Sequence, residues 1–297
     1  MKKCGSIALV GPPNAGKSTL LNAILNTKLS IVSHKRQTTR FALAGIHIQG
    51  DTQMIFWDTP GIFQPKTLLE RRMVAEAWRS LEKVHGIVML IDAQRSFEEK
   101  DIQNILQRLQ KHEKKIILVL NKIDLVPKET LLNKAQQYMT TGIVEDIFMI
   151  SALKKKGLER FLAALDRKMP EGEWEYPEDQ LSNQSQKILM AEITREKILF
   201  YVHEEIPYGL VVLPEVFESL SEKGVKIVQT IVIQDPGHKP ILLGKGGQKI
   251  KTIGQAARHA MEEFLGCKVH LILHVRIDER WQEKNYYYHE TGFEGGV

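Results

Sequence analysis

Gly11-Pro12-Pro13-Asn14-Ala15-Gly16-Lys17-Ser18 sets two glycines, a lysine and a hydroxyl at the spacing G-x-x-x-x-G-K-[ST]. The apolar run Ile7-Ala8-Leu9-Val10 precedes it, and Thr19-Leu20-Leu21-Asn22-Ala23-Ile24-Leu25 follows. A buried strand, a glycine loop and a helix start are the context in which that spacing grips phosphate. Gly11 and Gly16 allow the backbone to turn so that successive N–H groups face phosphate oxygens. Lys17 then reaches the β- and γ-phosphates, and the Ser18 hydroxyl holds a magnesium ion. These residues predict binding of a nucleoside triphosphate along the loop from Gly11 to Thr19.

Further apolar runs must carry the rest of such a site. Met54-Ile55-Phe56-Trp57 ends in Asp58-Thr59-Pro60-Gly61. An Asp at a strand end holds magnesium, usually through water, and the Gly61 N–H is placed to sense a γ-phosphate. Ile116-Ile117-Leu118-Val119-Leu120 delivers Asn121-Lys122-Ile123-Asp124, which decides the base. The Asp124 carboxylate accepts from both the ring N–H and the exocyclic amine of guanine; adenine leaves it unpaired. Ile147-Phe148-Met149-Ile150 leads into Ser151-Ala152-Leu153, whose backbone would contact the guanine carbonyl. Ordered along one chain, these segments predict a GTP-binding domain.

The loop expected to order around the γ-phosphate is Gln37-Thr38-Thr39-Arg40, with one threonine closing the magnesium shell. Position alone does not separate Thr38 from Thr39. Many small GTPases carry a water-orienting glutamine just after the Asp-x-x-Gly, but here the residue is Ile62. Slow intrinsic hydrolysis is therefore expected, unless another group or a partner positions the water.

At 297 residues the chain has room for two domains. No apolar stretch reaches the length of a membrane span, and no leader is expected before the first strand. Cys4 and Cys267 fall in different expected domains, which argues for a reducing cytoplasm over a disulfide framework. Formal charge is +5, but it is unevenly spread. Residues 1–179 hold 27 Lys and Arg against 21 acids; residues 180–297 hold 14 against 15. A polyanion bound by the second half would need a local basic patch.

Such a patch exists. After a linker-like stretch with Trp174 and Tyr176, an apolar helical pattern runs from about 185 and stops before Pro207. Strand-like runs follow around 209–213 and 225–233, then Gly244-Lys245-Gly246-Gly247, a helix to about Leu265, and a final strand. In that strand Val269, Leu271, Leu273, Val275 and Ile277 alternate with Lys268, His270, Ile272, His274 and Arg276. Lys245, Lys249, Lys251 and Arg258 surround the glycines with no acid among residues 244–258. A G-x-x-G loop between helices clamps the backbone of about four single-stranded nucleotides. The order helix–strand–strand–helix–loop–helix–strand strengthens that reading. His259, His270 and His274 lack metal-ligand spacing.

Taken together, these residues resemble the Era family of bacterial ribosome-assembly GTPases over essentially the whole chain. The carrying segments are residues 11–22, 33–40, 58–61, 121–124, 151–152, 195–199 and 205–208, and above all Gly-Lys-Gly-Gly-Gln-Lys-Ile-Lys-Thr-Ile-Gly at 244–254. The resemblance implies an α/β P-loop GTPase domain over 1–169, with a mixed, mostly parallel sheet flanked by helices. A linker at 170–184 and an α+β type II KH domain over 185–297 would follow. It implies that Thr39 is the switch threonine, acting with Lys17, Gly61 and Asn14 in catalysis, and that Asn14 holds a potassium ion beside the β/γ bridge. It also implies GTP and GDP with Mg²⁺ as ligands, and a monomer that binds the single-stranded 3′ end of small-subunit ribosomal RNA in its GTP state. Hydrolysis would favour release from a maturing 30S subunit. Relatives associate peripherally with the inner face of the cell membrane.

The tail, Trp281 to Phe293, carries the unusual triplet Tyr286-Tyr287-Tyr288; packing under the sheet is favoured over stacking on bases. One rival reading is a signalling or membrane-associated GTPase whose second domain binds protein. An all-basic loop suits an apolar interface poorly. A second rival, suggested by Ile62, is an RNA chaperone gated by nucleotide without hydrolysis.

Overall fold

The computed structural model describes residues 1–33, 35, 38–111, 115–202, 209–220 and 224–291. Gln37, the segment Glu205-Ile-Pro-Tyr208 and Phe293, all singled out in the sequence, lie outside the described residues. The chain divides into two compact units, Met1–Ser30 with Thr39–Asn183, and Ile31–Thr38 with Gln184–Val297.

In the first unit the elements run β1 (Lys3–Val10), α1 (Lys17–Leu25), β2 (Leu43–Gln49), β3 (Thr52–Asp58), α2 (Leu68–Arg79) and β4 (Gly86–Asp92). They continue as α3 (Lys100–Gln110), β5 (Ile116–Asn121), α4 (Lys128–Met139), β6 (Val144–Met149) and α5 (Leu158–Lys168). One six-stranded sheet has the order β2-β3-β1-β4-β5-β6. All its pairings are parallel except β2 with β3, as expected for a mixed, mostly parallel sheet.

The strands are apolar on both sides because both faces are covered. Ala8, Val10, Ile87, Met89, Ile91, Leu118 and Leu120 pack with Val74, Ala77 and Trp78 of α2, Ile102, Ile105 and Leu106 of α3, and Tyr138 of α4. Residues of the alternate parity, Ile7, Leu9, Val88, Leu90, Ile117 and Val119, are equally buried. Chain direction across the sheet reverses at β1, so the loops after β1, β3 and β5 converge at its carboxyl edge, where such folds bind ligands.

Residues after α5 belong to this unit although their composition is that of a linker. Cys4 N–H donates to the Pro170 carbonyl (3.1 Å), and Trp174 Nε1 donates to Asp51 O (3.1 Å). Ile46 N–H bonds Leu181 O (3.0 Å) and Ala44 N–H bonds Asn183 Oδ1 (3.0 Å), covering the open edge of β2.

In the second unit the elements are α6 (Gln186–Tyr201), β7 (Leu210–Ser219), β8 (Val225–Ile233), α7 (His238–Leu243), α8 (Gln248–Leu265), β9 (Val269–Ile277) and α9 (Asn285–Glu290). The sheet order is β7-β8-β9, antiparallel then parallel. Ala191 and Ile198 of α6 pack with Val212, Ile231, Leu242 and Ile253. The segment Ile31–Thr38 also counts here: Glu196 Oε1 on α6 accepts the Val32 N–H (3.1 Å), and Arg195 donates to the Thr38 carbonyl. Among the described residues no helix is long and apolar enough to cross a membrane.

Candidate functional site

At the carboxyl edge of the first sheet, the loop after β1 enters α1 through Gly16, whose φ of +98° is open to few side chains. A Cβ at Gly16 would lie 2.3 Å from Asn121 Nδ2, so glycine is required there on both counts. The start of α1 has no side-chain cap and no acid in its first turn. Its N–H groups and dipole remain available to an anion. Lys17 is buried, with Nζ donating to the carbonyls of Gly11 and Pro12 (3.1 Å each). Burial pushes its ammonium down to about 8, and the nearby Asp58 opposes that drop.

Asp58, at the end of β3, is fully buried. Its Oδ2 accepts hydrogen bonds from Ser18 Oγ (2.7 Å), Ser30 Oγ (2.7 Å) and Thr39 Oγ1 (3.3 Å). Ser18 Oγ and Thr39 Oγ1 are 2.9 Å apart. Thr38 points elsewhere, its hydroxyl donating to the Lys35 carbonyl at 2.8 Å. The other carboxylate oxygen, Oδ1, is buried with no hydrogen-bond partner among the described residues. Burial raises the Asp58 carboxyl above its usual range against the pull of Ser18, Ser30, Lys17 and Thr39. An orphaned carboxylate oxygen beside two hydroxyls is a hard-oxygen donor set, and it fits magnesium.

Gly61 lies against the same loop: a Cβ there would be 3.1 Å from Pro13. The Ile62 N–H donates to Gly11 O (3.1 Å), while the Ile62 side chain is 5 % exposed within the core. Asn14 is exposed and left-handed (φ +63°), a conformation asparagine adopts more readily than most residues.

Asn121 joins the segments after β5 and β6 to the glycine loop after β1. Its Nδ2 donates to Ala15 O (2.9 Å) and its Oδ1 accepts from the Ala152 N–H (3.0 Å). Lys122 pairs with Asp92 Oδ2 at 2.7 Å. Asp124 is exposed, and a hydrogen bond from the Ser151 side chain, aided by Lys154 and Lys156, holds its carboxyl below the usual range. Ser151 and Ala152 are buried, whereas the Leu153 side chain is 75 % exposed.

In the second unit, Gly244, Lys245, Gly246 and Gly247 form the turn between α7 and α8. Gly246 and Gly247 both take positive φ (58° and 76°), and α8 begins with no side-chain cap and no acid in its first turn. Lys245 and Lys251 are exposed, and Lys249 is half-buried. Arg258 is exposed seven positions beyond Lys251, about 10 Å further along the helix, near the Glu262 carboxylate. The tail tyrosines divide. Tyr287 and Tyr288 are buried and donate to Asp278 Oδ2 (2.6 Å) and Gln282 O (2.7 Å), whereas Tyr286 is 59 % exposed.

Known proteins share both halves of this arrangement. A family model described as a 50S ribosome-binding GTPase matches residues 6–122, and one for a KH domain matches residues 205–282. The chain is 44 % identical to GTPase Era of Maricaulis maris, over 100 % of this chain and 98 % of that one. It is 43 % identical to GTPase Era of Caulobacter vibrioides, over 99 % and 98 % of the two chains. The chain belongs to the Era family of GTPases. Among solved structures, Era in complex with MgGDPNP and nucleotides 1506–1542 of 16S ribosomal RNA matches with a TM-score of 0.92. Identity is 36 %, and 99 % of each chain is covered. A variant of Aquifex aeolicus Era bound to GDP and AlF4⁻ matches with a TM-score of 0.91 at 36 % identity, over 98 % and 99 % of the two chains. The α/β GTPase fold followed by a KH domain is thereby established.

Within this Era-family site, three residues were not anticipated from the sequence. Asp92 ends β4 and could have been marked by the same strand-end rule that singled out Asp58 and Asn121. Asn22 closes the segment 11–22 that carries the resemblance but takes no role from it, and Ser30 carries no local signal, since a serine in a loop is ordinary.

Proposed function

We propose that this chain binds GTP and GDP with Mg²⁺, hydrolyses GTP slowly by itself, and in its GTP state binds the single-stranded 3′ end of small-subunit ribosomal RNA, assisting 30S maturation. The carrying observation is that one Era-family chain joins the Ser18–Thr39–Asp58 cluster to a basic glycine turn between two helices. A relative of the same fold over 99 % of its length was solved with both MgGDPNP and 16S ribosomal RNA.

Gly11 to Thr19 would cradle the phosphates, with Lys17 supplying positive charge where it develops during transfer. Ser18, Thr39 and Asp58 would hold magnesium, which supplies charge neutralisation on the phosphate oxygens when bound. Gly61 would meet the γ-phosphate through its N–H. Asn121, Lys122 and Asp124 would bind guanine, together with the backbone of Ser151, Ala152 and Leu153. Ile62, facing the core, supplies no group to orient water, which supports slow intrinsic turnover. Asn14 would hold a potassium ion, and turnover with potassium or sodium chloride tests that role. Gly244 to Gly247, Lys249, Lys251 and Arg258 would carry the RNA backbone. Two free cysteines support a cytoplasmic location, with membrane association only peripheral.

Affinity for a single-stranded RNA copying the small-subunit 3′ end, at fixed salt, tests this reading. Tighter binding with a non-hydrolysable GTP analogue than with GDP is expected. Equal or absent binding in both states would refute nucleotide-gated RNA recognition.

A further inference from the structure

Ser30 has no part in the roles assigned above, yet it makes one of the two shortest contacts to Asp58. Three hydroxyls converge on Asp58 Oδ2, and two of them, Ser18 and Thr39, are themselves candidate magnesium ligands. The third, Ser30 Oγ, is 4 % exposed and donates at 2.7 Å. Its backbone is clasped on both sides by one side chain. Asn22 Nδ2 donates to Ser30 O (2.7 Å), and Asn22 Oδ1 accepts from Ser30 N–H (2.8 Å) and Leu29 N–H (3.0 Å). Asn22 stands on α1, one turn beyond Ser18. The helix that supplies a metal-facing hydroxyl therefore also fixes, through Ser30, the carboxylate across from it.

The chain path gives this contact a second consequence. Ser30 is the last residue of the first unit before Ile31–Thr38, and Thr39 is the first one after it. Both ends of that excursion bond the same carboxylate oxygen. Thr39 is the end that must move if it follows a γ-phosphate. The other end is held by the three Asn22 bonds.

We propose that Ser30, held by Asn22, is a positioning residue for magnesium: it fixes the Asp58 rotamer so that the carboxylate stays turned toward Ser18 and the ion whether or not Thr39 is engaged. The inference rests on reading this cluster as the magnesium site of a GTPase. Groups that orient metal ligands without touching the metal typically contribute 10–100-fold in metal affinity.

The test uses the full chain and a fluorescent GDP, with free Mg²⁺ titrated against EDTA while nucleotide retention is followed. Ser30→Ala should raise the Mg²⁺ needed for half-maximal retention about 10–100-fold. Affinity at saturating Mg²⁺ should stay within about threefold of the parent. Ser30→Thr, which keeps the hydroxyl, should restore the parental requirement. Asn22→Ala should shift the requirement in the same direction, and the double variant should add little to Ser30→Ala. Ser30→Cys keeps the shape with a weak donor; it should fall between parent and alanine and serves if Ser30→Ala fails to fold.

A parental Mg²⁺ requirement in folded Ser30→Ala, or in folded Ser30→Cys where alanine does not fold, overturns the proposal. A lowered unfolding midpoint without a change in Mg²⁺ requirement would mark a packing role only, and also overturns it. A parent chain whose nucleotide retention ignores Mg²⁺ would instead sink the nucleotide-site reading, and this inference with it.

Discussion

Lys17 is a stability cost in the nucleotide-free protein, so replacing it should separate stability from binding. Its ammonium is fully buried, and its pKa falls from an ordinary 10.5 to about 8. At 1.36 kcal/mol per pH unit, holding the charged form in place costs about 3 kcal/mol near pH 7. Lys17→Met removes that cost but also strips the Gly11 and Pro12 carbonyls of a donor. Two lost bonds at about 1 kcal/mol each offset most of the gain. The nucleotide-free variant should therefore be about 1 kcal/mol more stable than the parent at pH 7. GTP affinity should fall roughly a hundredfold, as expected for losing a charged hydrogen bond to phosphate.

The pH dependence is the sharper signature. The folded state releases the Lys17 proton near pH 8 and the unfolded chain near pH 10.5. Between those values the unfolded chain holds more protons, so the parent gains stability as pH rises through the window. By pH 9 the cost should have dropped by about 1.3 kcal/mol, bringing the variant level with or below the parent. Urea unfolding of nucleotide-free protein in EDTA at pH 7 and pH 9 measures both values. A variant more than about 1 kcal/mol less stable at pH 7, with the same pH slope as the parent, would refute the reasoning.

Three further outcomes follow from other parts of the molecule. Asp124→Asn puts an amide donor where guanine also donates; GTP binding should weaken roughly ten-thousandfold, with xanthosine triphosphate favoured instead, as competition binding would show. Lys251→Gln should weaken RNA binding to a similar degree for every sequence and lower the slope of log affinity against log salt by about 0.7, leaving GTP hydrolysis intact. The Tyr138 hydroxyl is buried with no partner among the described residues, while its ring packs edge-on against Phe97. Tyr138→Phe should therefore stabilise the protein by about 1 kcal/mol in urea unfolding, and a loss of stability would reveal a hydrogen bond there.

The glycine loop at 11–18 and the polar segments at the ends of β3 and β5 were legible in the sequence because their signals are local. A glycine loop needs only its neighbours in the chain to turn, and a polar tetrapeptide at the end of an apolar run sits at a sheet edge in any α/β fold. The glycine turn at 244–247 was legible for the same reason. The uncapped helix after it follows from Gly247 and from the absence of acids in the first turn. Tyr287 and Tyr288 are buried, with their rings near Trp281 and their hydroxyls bonded to Asp278 and Gln282, while Tyr286 is exposed.

Tertiary structure decided whatever depended on where distant segments meet. Thr38 and Thr39 are indistinguishable as adjacent letters; only the fold turns one hydroxyl into its own loop and the other toward Ser18 and Asp58. A linker is expected at 170–184, yet the Leu181 carbonyl and the Asn183 side chain complete the hydrogen bonding of the first unit along β2. Ile31–Thr38 lies between the motifs of the first unit but belongs to the second, through bonds to Arg195 and Glu196 some 160 positions on. Ser30 reaches Asp58 across 28 positions because Asn22 folds the loop back onto α1. Side-chain type and spacing determine what chemistry a segment can offer, because they set its local backbone and donors. Which hydroxyl meets which carboxylate is set by sheet order and loop closure, which no short stretch of sequence encodes.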